Sequence, residues 1–365
     1  MDAVVLVGGE GTRLRPLTYD APKQMLPIVD RPGICHVARW LAAEGVTRVV
    51  LSLGYRPDAF VEAFPDGSIE GLELCYAIEP ELLDTAGAIR FAAEVGGIAE
   101  RFIVLNGDVL TDFDAAALVS LHDKARAEAS IHLTSVADPS AFGVVETDES
   151  GLVLEFVEKP PSRGHNGGFI NAGTYVLEPS VLKRIPPGRR VSIERDIFPE
   201  LVLDGSLFAV SSDAYWIDTG TPAKYIESAL DILSGRRCGK GVLPEVPQHG
   251  PGVFCDPKAD LPEDLLAHGV SGALFAGPGT RVGPGALLGD CVLCADNEIG
   301  EGATVTGSVL LPGAVVAENA AVRHSIIGPA TVIGAGSRVE SLSVVRGHCV
   351  LEPGTVLEAA RFPAA

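Results

Sequence analysis

Aromatic side chains and cations are both scarce in this sequence. Only 6% of its 365 residues are Phe, Trp or Tyr, and 28 Lys and Arg are set against 48 Asp and Glu. The net charge of −20 argues against nucleic acid as a partner, because a phosphate backbone would be repelled over most of the surface. Any polyphosphate ligand therefore has to rely on local cations and a metal ion. Long apolar runs are missing as well. Although 47% of the residues are hydrophobic, no uninterrupted stretch approaches a membrane span, so no membrane partner is expected. Met1 is followed by Asp2 and an apolar strand, with no basic region and no small-residue cleavage site. No secretory signal is therefore expected, and a cytoplasmic location is predicted. The seven cysteines, at 35, 75, 238, 255, 291, 294 and 349, are odd in number and scattered, so they form no disulfide framework. Cys291-x-x-Cys294 has the spacing of half a zinc site, but no second pair stands at ligand distance, which predicts a structural role.

Glycine, by contrast, is abundant and placed. The apolar strand Ala3-Val4-Val5-Leu6-Val7 runs straight into Gly8-Gly9-Glu10-Gly11-Thr12-Arg13-Leu14-Arg15-Pro16-Leu17-Thr18, with Pro22-Lys23 shortly after. Gly8, Gly9 and Gly11 remove the Cβ atoms that would hold a polyphosphate away from the backbone, so main-chain N–H groups can turn toward anionic oxygens. Thr12 adds a hydroxyl, and Arg13 and Lys23 add full charges. The spacing is neither the Walker loop nor the dinucleotide fingerprint.

At this length two domains are expected. Residues 1–235 alternate short apolar strands with amphipathic helices, an α/β pattern. Ile34, Val37, Ala38 and Leu41 have helical spacing that ends at Gly45; Arg48 to Leu53 reads as a strand, and Ala86 to Val95 as a second helix. The strand Phe102 to Leu105 then delivers Asn106-Gly107-Asp108 at its carboxyl end, the edge where open parallel sheets bind ligands. Residues 236–275, rich in Pro and Gly, read as a connector. In 276–365, Ile327, Ile333, Val339, Val345, Leu351 and Leu357 recur every six residues, and Val282, Leu288, Ile299, Val305 and Leu311 form an earlier, interrupted series. Hexapeptide spacing of this kind predicts a parallel β-helix, with aliphatic side chains pointing into a narrow core and small residues at the corners. A stack of coils exposes a flat face, which predicts a homo-oligomer, a dimer or higher.

The loop Gly8 to Lys23, Asn106-Gly107-Asp108, Phe156-Val157-Glu158-Lys159-Pro160, Ile170-Asn171-Ala172-Gly173 and Trp216-Ile217-Asp218-Thr219-Gly220 together resemble the sugar nucleotidylyltransferases, the pyrophosphorylases that make nucleotide sugars. The likeness covers nearly the whole chain. Its details, including Ser192-Ile193-Glu194-Arg195 and the hexapeptide domain, resemble the mannose-1-phosphate guanylyltransferase (GDP-mannose pyrophosphorylase) branch. The resemblance implies a Rossmann-like, GT-A-like nucleotidyltransferase domain with a mixed, mostly parallel sheet, followed by a left-handed parallel β-helix. It implies Mg²⁺ on Asp108 and Asp218, and phosphate contacts from Arg13 and Lys23. Lys159 would hold the sugar phosphate, while Leu6, Gly8, Gly9, Gly11, Thr12 and Gly107 would line the nucleotide. Asn106, Gly143, Glu158 and Asn171 would surround the sugar.

The implied reaction joins a nucleoside triphosphate, GTP in this branch, to mannose 1-phosphate. Similar sequences also act on glucose 1-phosphate or a C7-cyclitol phosphate such as valienol 1-phosphate. One departure bears on the base: the family's Leu-Gly-Thr-Ala-Gly is here Leu83-Asp84-Thr85-Ala86-Gly87. Guanine presents two donors that a carboxylate at Glu79 or Asp84 could accept; alternatively, Asp84 caps the helix that follows. Two readings of another class are a catalytically silent regulatory subunit that binds nucleotide sugar, and an acyltransferase using His324 or His348 as base. The intact loop weighs against the first, and the lack of any coenzyme A-like motif against the second.

Overall fold

The computed structural model describes residues 1–159, 168–239, 241–263, 265–266 and 270–363. Pro160 of the Glu-Lys-Pro motif lies outside the described residues, as do a few connector positions and the last two of the chain. The chain divides into two compact units, Met1–Gly9 with Ile34–Trp216, and Glu10–Gly33 with Ile217–Ala365.

The first unit is built on β1 (Asp2–Leu6), with α1 (Gly33–Ala43) leading to β2 (Arg48–Leu53), then β3 (Leu72–Ile78), α2 (Asp84–Gly96) and β4 (Phe102–Asn106). β1 lies between β2 and β4, parallel to both, and β3 extends the sheet beyond β2. Strands such as Val4-Val5 and Ile103-Val104-Leu105 carry no polar face because both sides of a parallel sheet are covered. α2 packs its buried face, Ala86, Ile89, Ala92 and Ala93, over this region, in one core with Val4, Val50 and Phe102. It starts two residues earlier than the apolar spacing indicates, at Asp84. After α3 (Ala115–Ala125) come β5 (Ala129–Val136), β6 (Gly143–Thr147), β7 (Val153–Glu158), β8 (Gly168–Leu177) and β9 (Leu207–Ser211). β8 runs antiparallel to β4 and carries β6 and then β7 outward, while β5 joins β8 to β9. The sheet is therefore mixed, with its parallel half on the N-terminal side.

In the second unit, α4 (Pro222–Leu233) begins at Thr221, whose hydroxyl accepts from the Lys224 N–H at 3.3 Å, with Pro222 at the first turn where no N–H is needed. From Val270 onward the strands are parallel, and paired residues lie 17 or 18 positions apart, as Val322 with Val339 and Ile333 with Leu351. A parallel β-helix results. Ile327, Ile333, Val339 and Val345 are fully buried in its core, and Leu351 nearly so; Leu357, in the final coil, is partly exposed. The ladder also takes in Val253–Cys255 and Val270–Ala276, which, but for Ala276, fall within the stretch read as a connector. Cys291 and Cys294 are buried, and desolvation pushes both thiols up to about 12, so they fill space as small neutral groups. Among the described residues no three His, Cys, Asp or Glu gather in a way that could hold a metal ion. The Cys294 thiol lies 3.8 Å from the Val29 carbonyl, and the Tyr225 hydroxyl donates to the Pro27 carbonyl, so the segment Glu10–Gly33 is packed into this unit.

Candidate active site

The carboxyl ends of β1 and β4 are drawn together by glycine. Gly107 N–H donates to the Leu6 carbonyl at 2.9 Å, and a Cβ at Gly107 would strike the Val7 side chain and sit 3.0 Å from that carbonyl. Asn106 and Asp108 thereby flank a tight crossing beside Leu6. Gly173, with φ +76, leaves room for Asn106, since a Cβ there would lie 2.5 Å from Asn106 Nδ2. Gly8 has a Cβ position 3.2 Å from Glu79 Oε1, whereas Gly9 meets nothing within 4 Å and opens onto free space. Glu79 itself is buried. Its Oε1 accepts from Ser52 Oγ at 3.0 Å and its Oε2 from Leu83 N–H at 3.0 Å, so the carboxylate braces the entrance to α2. Asp84, in the left-handed region at φ 59, accepts from Thr85 N–H at 2.9 Å and lies 3.9 Å from the Arg195 guanidinium.

A second group in the same unit surrounds the end of β7. Burial raises the Glu158 carboxyl above its usual range, with the Glu194 charge adding to the effect, while Lys159 Nζ, 3.5 Å away, works against it. Lys159 has φ 50, a conformation that costs a residue with a Cβ on the order of 1 kcal/mol or more. Gly143 lies opposite Glu158, where a Cβ would approach Glu158 Oε2 to 2.9 Å and the Phe156 ring to 2.7 Å. Asn171 donates through Nδ2 to the Tyr175 hydroxyl at 2.9 Å and accepts from Gly173 N–H at 3.0 Å, at a break in the β8 register.

Sequence reasoning passed over two members of this group. Glu194 Oε2 accepts from Thr85 Oγ1 at 2.7 Å and from Ser192 Oγ at 2.8 Å, at the start of a π-helical turn, Ile193–Ile197. Thr85 stands one residue from the atypical Asp84, and Glu194 lies within the Ser-Ile-Glu-Arg motif. The partnership, however, spans 109 positions and leaves no local trace.

Gly11, Thr12, Arg13, Lys23 and Asp218 belong to the second unit. Gly11, at φ +62, accepts from Thr18 Oγ1 at 2.9 Å, and a Cβ there would press on Lys23 at 3.2 Å. Arg13 Nη2 lies 3.3 Å from Asp218 Oδ2, while Asp218 Oδ1 accepts from Gly220 N–H at 2.7 Å. A Cβ at Gly220 would collide with the Arg13 guanidinium. The Arg13 side chain is 54% exposed and Asp218 only 20%, which presents a cation outward from a carboxylate held in fixed orientation. The metal pair expected from the sequence divides between the units, with Asp108 in the first and Asp218 in the second. An oriented carboxylate suits Mg²⁺, which takes one or two carboxylates together with substrate phosphates.

Residues 2–235 match a family model described as nucleotidyl transferase, and residues 270–362 one described as the GMPPB C-terminal domain. A mannose-1-phosphate guanylyltransferase of Mycobacterium tuberculosis is 40% identical over 303 residues, which is 80% of this chain and 79% of that protein. A mannose-1-phosphate guanyltransferase of Schizosaccharomyces pombe is 40% identical over 65% of this chain and 66% of its own length. Among solved structures, HddC from Yersinia pseudotuberculosis complexed with GMP-PN matches with TM-score 0.54 and 31% identity over 62% of this chain and 97% of that one. Strand ends pinched by glycine, an arginine-bearing loop and these likenesses lead to one assignment: the chain belongs to the nucleotidyl transferase family.

Proposed function

We propose that this enzyme condenses GTP with mannose 1-phosphate to give GDP-mannose and pyrophosphate. The observation that carries the reading is the 40% identity to the Mycobacterium tuberculosis mannose-1-phosphate guanylyltransferase along four fifths of the chain. In the proposed step a phosphate oxygen of the sugar 1-phosphate attacks the α-phosphorus. One P–O bond forms, the bond to the β-phosphate oxygen breaks, and pyrophosphate leaves in line. No general base is needed, because a phosphate monoester is already ionised at neutral pH. The chemistry is positioning and charge neutralisation. Arg13 and Lys23 stabilise the departing pyrophosphate, and Lys159 orients the attacking phosphate. Glu158 and Asn171 accept and donate to sugar hydroxyls, and the bare backbone at Gly143 admits the ring. Leu6, Gly8, Gly9, Gly11, Thr12 and Gly107 line the nucleotide, with Asn106 on the sugar side. Asp108 and Asp218 are the carboxylates that would hold Mg²⁺, which when bound lowers the repulsion between the two anionic substrates. Guanine selection falls to Glu79 or Asp84. The homo-oligomer and the cytoplasmic location belong to the same proposal; no described helix is long and apolar enough to cross a membrane.

A grid of nucleoside triphosphates against mannose, glucose and C7-cyclitol 1-phosphates, read by product mass, tests this. GTP with mannose 1-phosphate is expected to give the highest kcat/KM. A higher value for another pair moves the substrate assignment, and no pyrophosphate release from any pair favours the silent regulatory subunit.

A further inference from the structure

The loop carrying Arg13 is fastened to the C-terminal coils through Asp20. Arg346, directly after the strand Val344–Val345, donates from Nε to Asp20 Oδ2 at 2.7 Å and from Nη2 to Asp20 Oδ1 at 2.6 Å. The same guanidinium lies 5.5 Å from the centre of the Tyr19 ring, and the Arg15 guanidinium lies 5.1 Å from it. Arg15 in turn pairs with Glu10 at 2.5 Å. Two cations thus contact one ring, and a run of contacts leads from the coil through Asp20 and Tyr19 to Arg15 and Glu10. Residues Gly11 to Thr18 are enclosed by it and closed on themselves by Thr18 Oγ1 to the Gly11 carbonyl. Thr12 and Arg13 lie inside that bracket.

The local structure of this segment needs such outside help. It consists of three-residue 3₁₀ turns, Thr12–Leu14 and Leu17–Tyr19, which are too short to hold a conformation alone. The Arg346 to Asp20 pair is 39% and 45% exposed, so its worth to global stability is small. Its geometry is nevertheless specific. A planar fork grips both carboxylate oxygens of a residue 326 positions away, which a lysine could not reproduce. A contact that adds little stability yet fixes direction is suited to aiming a loop.

We propose that Arg346 is a positioning residue for the nucleotide: through Asp20 and Tyr19 the β-helix holds the Gly11 to Thr18 loop in the form that presents Arg13 to the triphosphate. The inference rests on the reading of that loop as the triphosphate site. It gives the C-terminal domain a share in nucleotide affinity, separate from any role in assembly.

The test uses the full chain with Arg346→Met, Asp20→Asn, the double variant, and the exchanged pair Asp20→Arg with Arg346→Asp. Each single variant should raise the GTP KM about fivefold. The mannose 1-phosphate KM should stay within about twofold, and the melting temperature within about 2 °C. The double variant should be no worse than either single one, because both remove the same contact. The exchanged pair should recover part of the loss. GTP binding measured by calorimetry should follow the KM values without turnover. A GTP KM and GTP affinity within twofold of the parent in both single variants would overturn the proposal. So would a parallel rise in both KM values with a lowered melting temperature. Arg13→Ala separates the two layers of the argument. If it binds and turns over GTP normally, the loop reading itself has failed; if it is impaired while Arg346→Met is normal, only the coupling has failed.

Discussion

His132, on β5, is a proton-sensitive weak point in the first unit. It is completely buried, its ring stacks on Phe113 at 3.7 Å between centroids, and Nε2 lies 2.8 Å from Ser212 Oγ. Nδ1 has no hydrogen-bond partner among the described residues. Burial alone pushes the imidazole down to about 4 from an ordinary value of 6.5. The folded chain therefore keeps the ring neutral where the unfolded chain already takes up a proton. Stability is full above pH 6.5 and is lost as pH falls toward 4, by about 2 kcal/mol at pH 5 and about 3 kcal/mol at pH 4. Replacing His132 by Gln should cost about 1 kcal/mol at pH 8, where the ring stack on Phe113 is lost and the amide takes over the contact with Ser212 Oγ. The same variant should be the more stable protein at pH 5. Urea unfolding followed by tryptophan fluorescence measures this directly, because Trp40 and Trp216, the only two tryptophans, lie in the same unit as His132. Other acid-sensitive pairs, such as Glu128 held low by Arg184, are common to both proteins and cancel in the difference. A parent-minus-variant difference that stays constant from pH 8 to pH 5 would refute the reasoning.

Two further predictions concern the chemistry. Asp218→Asn keeps the shape that receives Gly220 N–H and removes the charge beside Arg13, so kcat should fall by about a hundredfold or more while the circular dichroism spectrum is kept. Near-normal turnover would count against the metal assignment. Asp84→Ala or Glu79→Ala should lower the ratio of GTP to ATP turnover by about tenfold, the worth of a charge-assisted hydrogen bond. An unchanged ratio in both would leave Asp84 as a helix-starting residue and Glu79 as a brace for Leu83.

Elements specified by contiguous residues were legible in the chain. Arg48 to Leu53 reads as a strand because Val49-Val50-Leu51 cannot be solvated, and it forms one over the same residues. The six-residue recurrence from Ile327 to Leu351 needs no partner to be recognised, because a coil repeats its own core position. Val270–Ala276 escaped notice because its register breaks between Ser271 and Leu274, at Gly272, where the aliphatic period is interrupted. Residues 84 to 87 show the limit at the site. An acid in that position could be a cap or a base-reading group, and only the left-handed backbone of Asp84 and its bond to Thr85 N–H show how it begins α2. The Glu194 to Thr85 contact and the fastening of Asp20 by Arg346 depend on distant chain segments arriving together, which no local spacing encodes.

The membership of Glu10–Gly33 in the second unit bears on where the gene could be cut. A fragment ending at residue 235 retains everything the nucleotidyl transferase model matches, yet it loses Cys294 from above the Val29 carbonyl and Arg346 from Asp20. Val29, buried in the whole chain, would then lose the Cys294 thiol that covers its carbonyl, close to the stretch that bears Lys23. Excision of the coils would thus unfasten the segment that carries Arg13 and Lys23 at both Asp20 and Val29, and an engineer seeking a smaller enzyme would have to supply those two anchors by other means.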